Sequence, residues 1–182
     1  MIYQPSDDSY LLESQVKKYA QNKSCLDMGS GSGILAEACR KAQASSVLAV
    51  DINPESVKYL KDKFRNTNIK IIKSNLFQKV KGKFDLIIFN PPYLPLDAIE
   101  PKDSRLATTG GKKGDEISLK FLNQAKIHMN KDSIIILLLS SLTQKIRIIA
   151  LLSKLSLKNK ILAEKRLFME KLEVWEIKHN NQ

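Results

Sequence analysis

The sequence has little of the chemistry from which many enzyme sites are built. Its 182 residues include two histidines, two cysteines and one tryptophan. Cys25 and Cys39 have neither metal-ligand spacing nor a secreted context that would favour a disulfide, so we expect both to be reduced packing residues. His128 and His179 fall late in a helix and in the C-terminal tail, and we expect both to be structural. The sequence therefore predicts no metal site and no catalytic histidine.

Long apolar runs are also missing. The longest, Ile134 to Leu139, is far too short to cross a bilayer. The N-terminal stretch "MIYQPSDDSYLL" lacks the basic and then apolar segments of a secretory signal, so we expect a cytoplasmic protein with no membrane partner. There are no repeats and no Gly/Ser/Pro-rich linker, and the length suits one buried core. We expect a single domain over residues 1–182.

The charge balance is strongly positive. The chain has 30 Lys and Arg against 19 Asp and Glu, a net charge of +11. Such a surface attracts nucleic acid. The lysines are nevertheless spread along the whole chain and the aromatics are few, so charge alone identifies no partner.

Apolar strands and amphipathic helices alternate along the chain. Ser6 is expected to cap a first helix, and Asn53 with Pro54 is expected to begin another. The last two strands are close enough in sequence to form a hairpin. This order predicts an α/β protein with a parallel sheet, helices on both faces and one antiparallel C-terminal strand. The predicted strands lie near residues 24–28, 46–51, 69–73, 84–89, 133–140, 158–168 and 172–178.

A glycine-rich loop follows the first predicted strand. Gly29-Ser30-Gly31-Ser32-Gly33 falls where ligands bind in such sheets, and glycines let the backbone approach a ligand closely. The spacing G-x-G-x-G departs from the dinucleotide fingerprint G-x-G-x-x-G. Asp51 ends the second strand, where a carboxylate can accept both hydrogen bonds of a ribose diol. The two signals together predict a nucleoside-containing cofactor.

The stretch Phe89-Asn90-Pro91-Pro92-Tyr93 follows the fourth strand. Two prolines remove two backbone donors and stiffen the loop, and their carbonyls remain free to accept. Taken alone, "PPY" is explained by a strand stop with a packed tyrosine. Beside the glycine loop, the same residues can form a site.

At this point the sequence resembles the S-adenosylmethionine-dependent methyltransferases with a Rossmann-like sheet. "DMGSGSG", from Asp27 to Gly33, is similar to their acid-x-G-x-G-x-G pattern. The resemblance implies a Rossmann-like, seven-stranded, mostly parallel sheet with a C-terminal antiparallel hairpin strand. It places Asp27 near the methionine amino group, Asp51 at the ribose and Asn75 at the adenine amino group, where the family often has Asp. The cofactor-binding residues that it implies are Ser9, Asp27, Gly29, Gly31, Gly33, Asp51, Ile52, Asn75, Leu76 and Asn90.

The motif "NPPY" resembles that of methyltransferases acting on planar nitrogens. Such a nitrogen is a poor nucleophile because its lone pair is delocalised. The Asn90 side-chain carbonyl and the Pro91 backbone carbonyl can each accept one N–H of the substrate NH2, which turns the lone pair towards the methyl group. The resemblance implies Asn90, Pro91 and Tyr93 as catalytic residues, and Asn90, Pro91, Pro92 and Tyr93 as the substrate-binding set.

The chain further resembles the archaeal and eukaryotic branch of the HemK-related glutamine methyltransferases. The similarity is carried by "YQPSDDSYLL" at Tyr3 to Leu12, by "LATTGGKKGDEISLKFL" at Leu106 to Leu122 and by "MEKLEVWEIK" near the end. It implies N5-methylation of the glutamine in the Gly-Gly-Gln motif of a class I peptide chain release factor. Thr108 stands where this branch often has Trp. Gly110, Gly111 and Gly114 are expected either to shape a loop over the substrate or to form a solvated turn.

Eukaryotic relatives of this branch work with a small zinc-binding activator subunit on the edge strand of the sheet. Here that strand carries Ile69 and Ile71. Two other reactions stay open: methylation of an exocyclic base amine in RNA or DNA, and methylation of a protein lysine. The positive charge favours the first, whereas the Asn90 arrangement suits an amide better than an ammonium. A nucleic acid is thus a partner left open, but it is not the expected substrate.

Overall fold

The computed structural model describes residues 2–96 and 108–180 of the chain. Leu106 and Ala107, part of the stretch quoted above, lie outside the described residues, as do the last two residues of the tail. Among the described residues, no helix is long and apolar enough to cross a membrane.

Seven strands form the main sheet. They are β1 (Ser24–Met28), β2 (Ser46–Asp51), β3 (Ile69–Lys73), β4 (Phe84–Phe89), β7 (Met129–Ser140), β8 (Leu157–Leu167) and β9 (Glu170–His179). Their order across the sheet is β3-β2-β1-β4-β7-β9-β8. Neighbours from β3 to β7 are parallel, whereas β9 runs antiparallel to both β7 and β8. The predicted Rossmann-like fold and its C-terminal hairpin are therefore confirmed.

A second, two-stranded sheet joins β5 (Leu94–Pro95) to β6 (Thr109–Gly111). Residue patterns did not predict it, because strands of two and three residues are too short to show a period. It ties the chain after "NPPY" to the glycines at 110 and 111.

Five α-helices cover the sheet, and two of them begin next to Ser6 and at Pro54 as expected. They are α1 (Asp7–Tyr19), α2 (Ile34–Lys41), α3 (Pro54–Lys63), α4 (Glu116–Ala125) and α5 (Lys145–Lys154), and a short 3-10 helix, Lys126–His128, follows α4. Asn53 caps α3 by accepting a hydrogen bond from the backbone N–H of Glu55 at 2.9 Å. Ser6 occupies the N-cap position of α1, but its side chain makes no cap hydrogen bond. The expected side-chain cap at Ser6 is thus absent, and the acidic residues of the first turn remain to favour the helix start.

Apolar residues on alternate sides of the strands form a core on each face of the sheet. In β4, Ile87 and Phe89 pack on the face that carries α4 and α5, whereas Leu86 and Ile88 pack on the face that carries α1 to α3. Trp175 is buried in the first of these cores. Cys25 and Cys39 are free thiols buried in the second.

The strand order places the switch point between β1 and β4. The chain moves from β1 outward through β2 to β3 and then returns to β4 on the other side of β1. Met28 pairs with Phe89 in the sheet register, so the loops that begin at Gly29 and Asn90 start side by side. In this class of sheet, such a point is where ligands bind.

Candidate active site

A cleft of about 650 Å³ opens at this switch point, beyond the carboxyl ends of the parallel strands. Most of the predicted site residues line it together, although they come from four separate loops and from the start of α1. Those lining it are Ser9, Gly29, Gly31, Asp51, Ile52, Asn75, Leu76, Asn90, Pro91, Pro92 and Tyr93. Asp27 and Gly33 are not part of the lining.

The glycine loop lies directly on the aromatic end of β4. A Cβ on Gly29 would come within 3.2 Å of Cε2 of Phe89, and the backbone there has a φ of +65°. Both the close contact and the left-handed backbone favour glycine at this position. Ser30 fixes the loop to β2, since its N–H donates to the Val50 carbonyl at 3.0 Å and its Oγ accepts from the Val50 N–H at 3.1 Å. The glycine loop is thus held close to the end of the sheet, and a ligand can approach the loop backbone.

Asp51 closes one wall of the cleft. Its Oδ2 accepts the N–H of Gly31 at 2.8 Å and its Oδ1 accepts the N–H of Asn53 at 2.8 Å. Burial raises the pKa of this carboxyl, whereas those backbone donors act to lower it. Each carboxylate oxygen has a further lone pair, so Asp51 can still accept from the two hydroxyls of a ribose.

Asp27 lies beneath the loop and is fully buried. Its Oδ2 accepts the N–H of Ala36 at 3.0 Å in the first turn of α2, and its Oδ1 has no hydrogen-bond partner among the described residues. Desolvation raises its pKa to about 7. A buried carboxylate oxygen without a partner is a costly feature that a ligand cation would relieve.

The "NPPY" loop supplies the opposite wall. The Asn90 Nδ2 donates to Oδ2 of Asp8 at 3.1 Å, whereas the Asn90 Oδ1 is buried and has no partner in the described part of the chain. Tyr93 is partly buried, and burial together with the charge of Asp8 raises its pKa, so the phenol is neutral near pH 7. It offers a flat apolar wall rather than an acid or a base.

Two residues that sequence reasoning did not single out complete this wall. Asp8 is 4% exposed, and the Tyr3 hydroxyl donates to its Oδ2 at 2.8 Å. Both residues fall within the N-terminal pattern that carries the family resemblance, where only Ser9 was expected to have a role. Asp8 accepts its hydrogen bond from Asn90, 82 positions further along the chain, and neither residue spacing nor periodicity indicates such a contact.

The glycines after β5 pack against the "NPPY" backbone. A Cβ on Gly110 would lie 2.6 Å from the Pro92 carbonyl oxygen, and one on Gly114 would lie 2.4 Å from the Tyr93 carbonyl oxygen. Thr108 lines the cleft near them. Gly110 and Gly114 thus pack closely against the backbone of the "NPPY" loop.

The two histidines stay away from the cleft. The His128 ring stacks on Phe77 at 4.7 Å, and its Nδ1 lies 2.7 Å from the Gly82 carbonyl oxygen. His179 ends β9, 3.0 Å from the Lys126 Nζ. These contacts agree with the structural roles expected for both.

The residues of the cleft fit S-adenosylmethionine. The carboxylate of Asp51, which lines the cleft, suits a ribose diol, and the glycine loop over Phe89 allows a ligand to approach its backbone closely. The unpartnered Oδ1 of Asp27 lies under that loop, outside the lining of the cleft. Ile52, Asn75 and Leu76 line the same cleft, and the two apolar side chains would suit contact with a purine ring.

Comparison with known proteins agrees with this chemistry. The family model of the methyltransferase small domain matches residues 6–103, which is more than half of the chain. The chain therefore belongs to the methyltransferase small domain family, and it is an S-adenosylmethionine-dependent methyltransferase.

Several of its relatives are named glutamine methyltransferases. A protein of Methanocaldococcus jannaschii, provisionally named a protein N5-glutamine methyltransferase, is 40% identical over 177 residues, which are 95% of this chain and 89% of that one. The release factor glutamine methyltransferase of Borreliella burgdorferi is 33% identical over 143 residues, 72% of this chain and 50% of that one. The resemblance to the HemK-related glutamine methyltransferases is thus confirmed.

Solved structures share the fold. A chain in the structure of the Mtq2-Trm112 complex from E. cuniculi matches with a TM-score of 0.78 at 22% identity, covering 98% of each chain. A ribosomal protein L11 methylase from Lactobacillus delbrueckii has a TM-score of 0.69 at 26% identity, covering 98% of this chain and 82% of that one.

Proposed function

We propose that this chain methylates the N5 of the glutamine in the Gly-Gly-Gln motif of a class I peptide chain release factor, acting in the cytoplasm as one domain over residues 1–182. The observation that carries the proposal is the buried, unpartnered Oδ1 of Asn90 in a rigid loop on the cleft. An acceptor of this kind is completed by an N–H of a planar substrate amide. The relatives whose names state a glutamine substrate support the amide over other planar nitrogens.

The protein's part in the reaction is to position and polarise the side-chain amide of the substrate glutamine. The bound cofactor supplies a methyl group on a positively charged sulfur, which is already an activated donor. Asn90 Oδ1 and the Pro91 carbonyl accept the two N–H groups of the glutamine, and this turns the nitrogen lone pair towards the methyl carbon. Asn90 and Pro91 would stabilise the positive charge that develops on the amide nitrogen as it gains the methyl group. The nitrogen then loses one proton to water, so no strong base is needed.

Tyr93 and the prolines keep this arrangement rigid. The neutral phenol ring packs against the flat amide, and the two prolines hold the acceptors without offering competing donors. Lysine methylation fits less well, because a lysine ammonium must first lose a proton to a base. Among the described residues, the carboxylate beside Asn90 is that of Asp8, and it already accepts a hydrogen bond from the Asn90 side chain.

The experiment is a tritiated-methyl transfer assay with three acceptors: the cognate release factor, its variant with the loop glutamine changed to alanine, and total RNA. We expect label on the first acceptor alone. Asn90→Ala should lower transfer by about 10²- to 10³-fold, as loss of one charge-stabilising contact does in other enzymes. Cofactor affinity, measured by calorimetry, should largely persist.

Asn123→Ala is the matched control. This asparagine is exposed on α4 and donates to the Leu119 carbonyl of its own helix, so its loss should leave transfer unchanged. Undiminished turnover in Asn90→Ala would show that Asn90 does not hold and polarise the substrate amide. Label on RNA and none on the release factor would instead favour a base amine, the reaction that the net charge of +11 supports.

We further propose that a small zinc-binding activator pairs with the free edge of β3. In the main sheet β3 has one neighbour, β2, so its other edge can accept a partner strand. The solved Mtq2 structure contains Trm112, which supports a subunit of that kind. Ile69 is only 5% exposed and packs in this chain's own core, so Ile71, which is half-buried, is the better contact.

The activator proposal is tested by purifying the chain alone and with a Trm112-type protein. We expect the pair to coelute and to transfer methyl faster than the chain alone, and Ile71→Asp to abolish both effects. A chain that is monomeric, stable and fully active without any partner would contradict this proposal.

A further inference from the structure

A carboxylate stands behind the substrate-binding amide. Asp8 accepts hydrogen bonds from four donors: its Oδ2 from the Tyr3 hydroxyl and the Asn90 Nδ2, and its Oδ1 from the Ser9 N–H and the Ser9 Oγ. Four donors match the lone pairs of an ionised carboxylate, so its hydrogen-bonding capacity is satisfied. No ion pair joins it to a lysine or arginine in the described ranges, 2–96 and 108–180.

The position of Asp8 decides which end of the Asn90 amide faces the cleft. If the amide were flipped, its carbonyl oxygen would lie about as close to the carboxylate as Nδ2 does now, and two negatively polarised oxygens would repel across a buried contact. Nδ2 therefore faces Asp8. Oδ1 is left on the other side of the amide, without a partner among the described residues.

We propose that Asp8 is a positioning residue for methyl transfer. It holds the Asn90 amide with Oδ1 presented to the substrate, and its charge polarises that amide so that Oδ1 accepts more strongly. Tyr3 donates to the same carboxylate oxygen as Asn90 and helps to hold it in place. The proposal rests on the function proposed above, since it concerns the acceptor that binds the substrate NH2.

The first measurement compares Asp8→Ala and Asp8→Asn with wild type. Asp8→Ala frees the amide to rotate and should lower kcat by about 10- to 100-fold, the effect expected for loss of one charge-assisted hydrogen bond in a buried site. Asp8→Asn keeps the shape and loses the charge, so its loss should be smaller. Asp7→Asn is the matched control, because Asp7 is the neighbouring acid of the same helical turn and pairs with Lys165 at the surface. It should leave kcat unchanged.

A double-mutant cycle separates positioning from a general structural role. If Asp8 acts through Asn90, Asp8→Ala should lower kcat in the wild-type background and have little further effect when Asn90 is already alanine. An equal fold-loss in both backgrounds would mean that Asp8 supports the fold or the cofactor instead, and would overturn the proposal. Cofactor affinity, measured in parallel, should change little in Asp8→Ala.

A second readout does not depend on turnover. The side-chain NH2 of Asn90, assigned in a nitrogen–proton correlation spectrum by its loss in Asn90→Ala, should be shifted downfield and slow to exchange in wild type and ordinary in Asp8→Ala. An Asn90 signal that is the same in both proteins would refute the positioning role. If wild type transfers no methyl to any glutamine, the proposed function fails, and this spectrum still decides whether Asp8 orients Asn90.

Discussion

Gly110→Ala tests whether the glycines after β5 set the position of the substrate loop. The new Cβ would lie 2.3 Å from the Gly114 carbonyl oxygen and 2.6 Å from that of Pro92. Non-bonded heavy atoms prefer separations of roughly 3.5 Å, so the backbone must shift by about 1 Å to admit the methyl group. Both contacts are backbone atoms, which cannot rotate away as a side chain can.

The shift should be visible mainly in the rate. Pro92 follows the acceptor carbonyl of Pro91, and a misplacement of about 1 Å in a reacting array lowers a rate by roughly 10²-fold. We therefore expect kcat in the tritiated-methyl assay to fall about a hundredfold, with little change in cofactor affinity. Overpacking costs about 1 to 3 kcal/mol of stability, which should lower Tm by several degrees in a chain of this size.

Gly82→Ala is the control for the stability part of this effect. Gly82 has a φ of +86°, and no atom lies within 4 Å of the position that a Cβ would take, so alanine there adds backbone strain without a steric clash. It should lower the free energy of unfolding by about 1 kcal/mol and leave kcat unchanged. A Gly110→Ala enzyme with near wild-type kcat would show that this packing does not set the geometry of the site.

Two further predictions concern the cofactor loop. Because burial raises the pKa of Asp27 to about 7, this carboxyl is protonated in the free protein at lower pH, whereas a cofactor ammonium beside it would bind the charged form better. Affinity for S-adenosylmethionine, measured by calorimetry, should therefore weaken as pH falls below 7, and Asp27→Asn should lose that dependence. An identical pH profile in both proteins would place the ammonium elsewhere. Gly33→Ala would put a Cβ 2.6 Å from the Leu60 Cδ2 and 2.7 Å from the Phe64 Cε2. We expect the free energy of unfolding, measured by denaturant titration, to fall by about 2 to 3 kcal/mol. An unchanged denaturation midpoint would contradict the packing of α2 on α3.

The sequence was most informative where function depends on the ends of strands. Gly29, Asp51 and Asn90 each follow or end a short apolar run, and parallel strands bring their carboxyl ends to one edge of a sheet. The presence and approximate bounds of those strands could therefore be predicted, and with them the place of the cleft. Their chemistry could be inferred from residue types that accept hydrogen bonds or allow close backbone approach.

What could not be predicted depends on contacts between distant segments. The Asp8 to Asn90 hydrogen bond joins residues 82 positions apart, and nothing local requires it. Asp27 was expected at the cofactor, yet whether it lines the cleft or lies under the loop depends on how α2 packs, and it lies under the loop. Ile69 and Ile71 were both expected to be available at the edge. The structure buries Ile69 in the core and leaves Ile71, on the same side of the strand, partly exposed.

The ring of Phe89 gives the cleft a property of its own. It lies 4.5 Å from the Phe121 ring on α4 and directly below Gly29, so one side chain touches both the helix that follows the substrate loop and the loop assigned to the cofactor. A displacement of either partner must be accommodated by the other through this closely packed ring. Thermodynamic linkage then makes the effect reciprocal: whatever the cofactor does to affinity for the acceptor protein, the acceptor does equally to affinity for the cofactor.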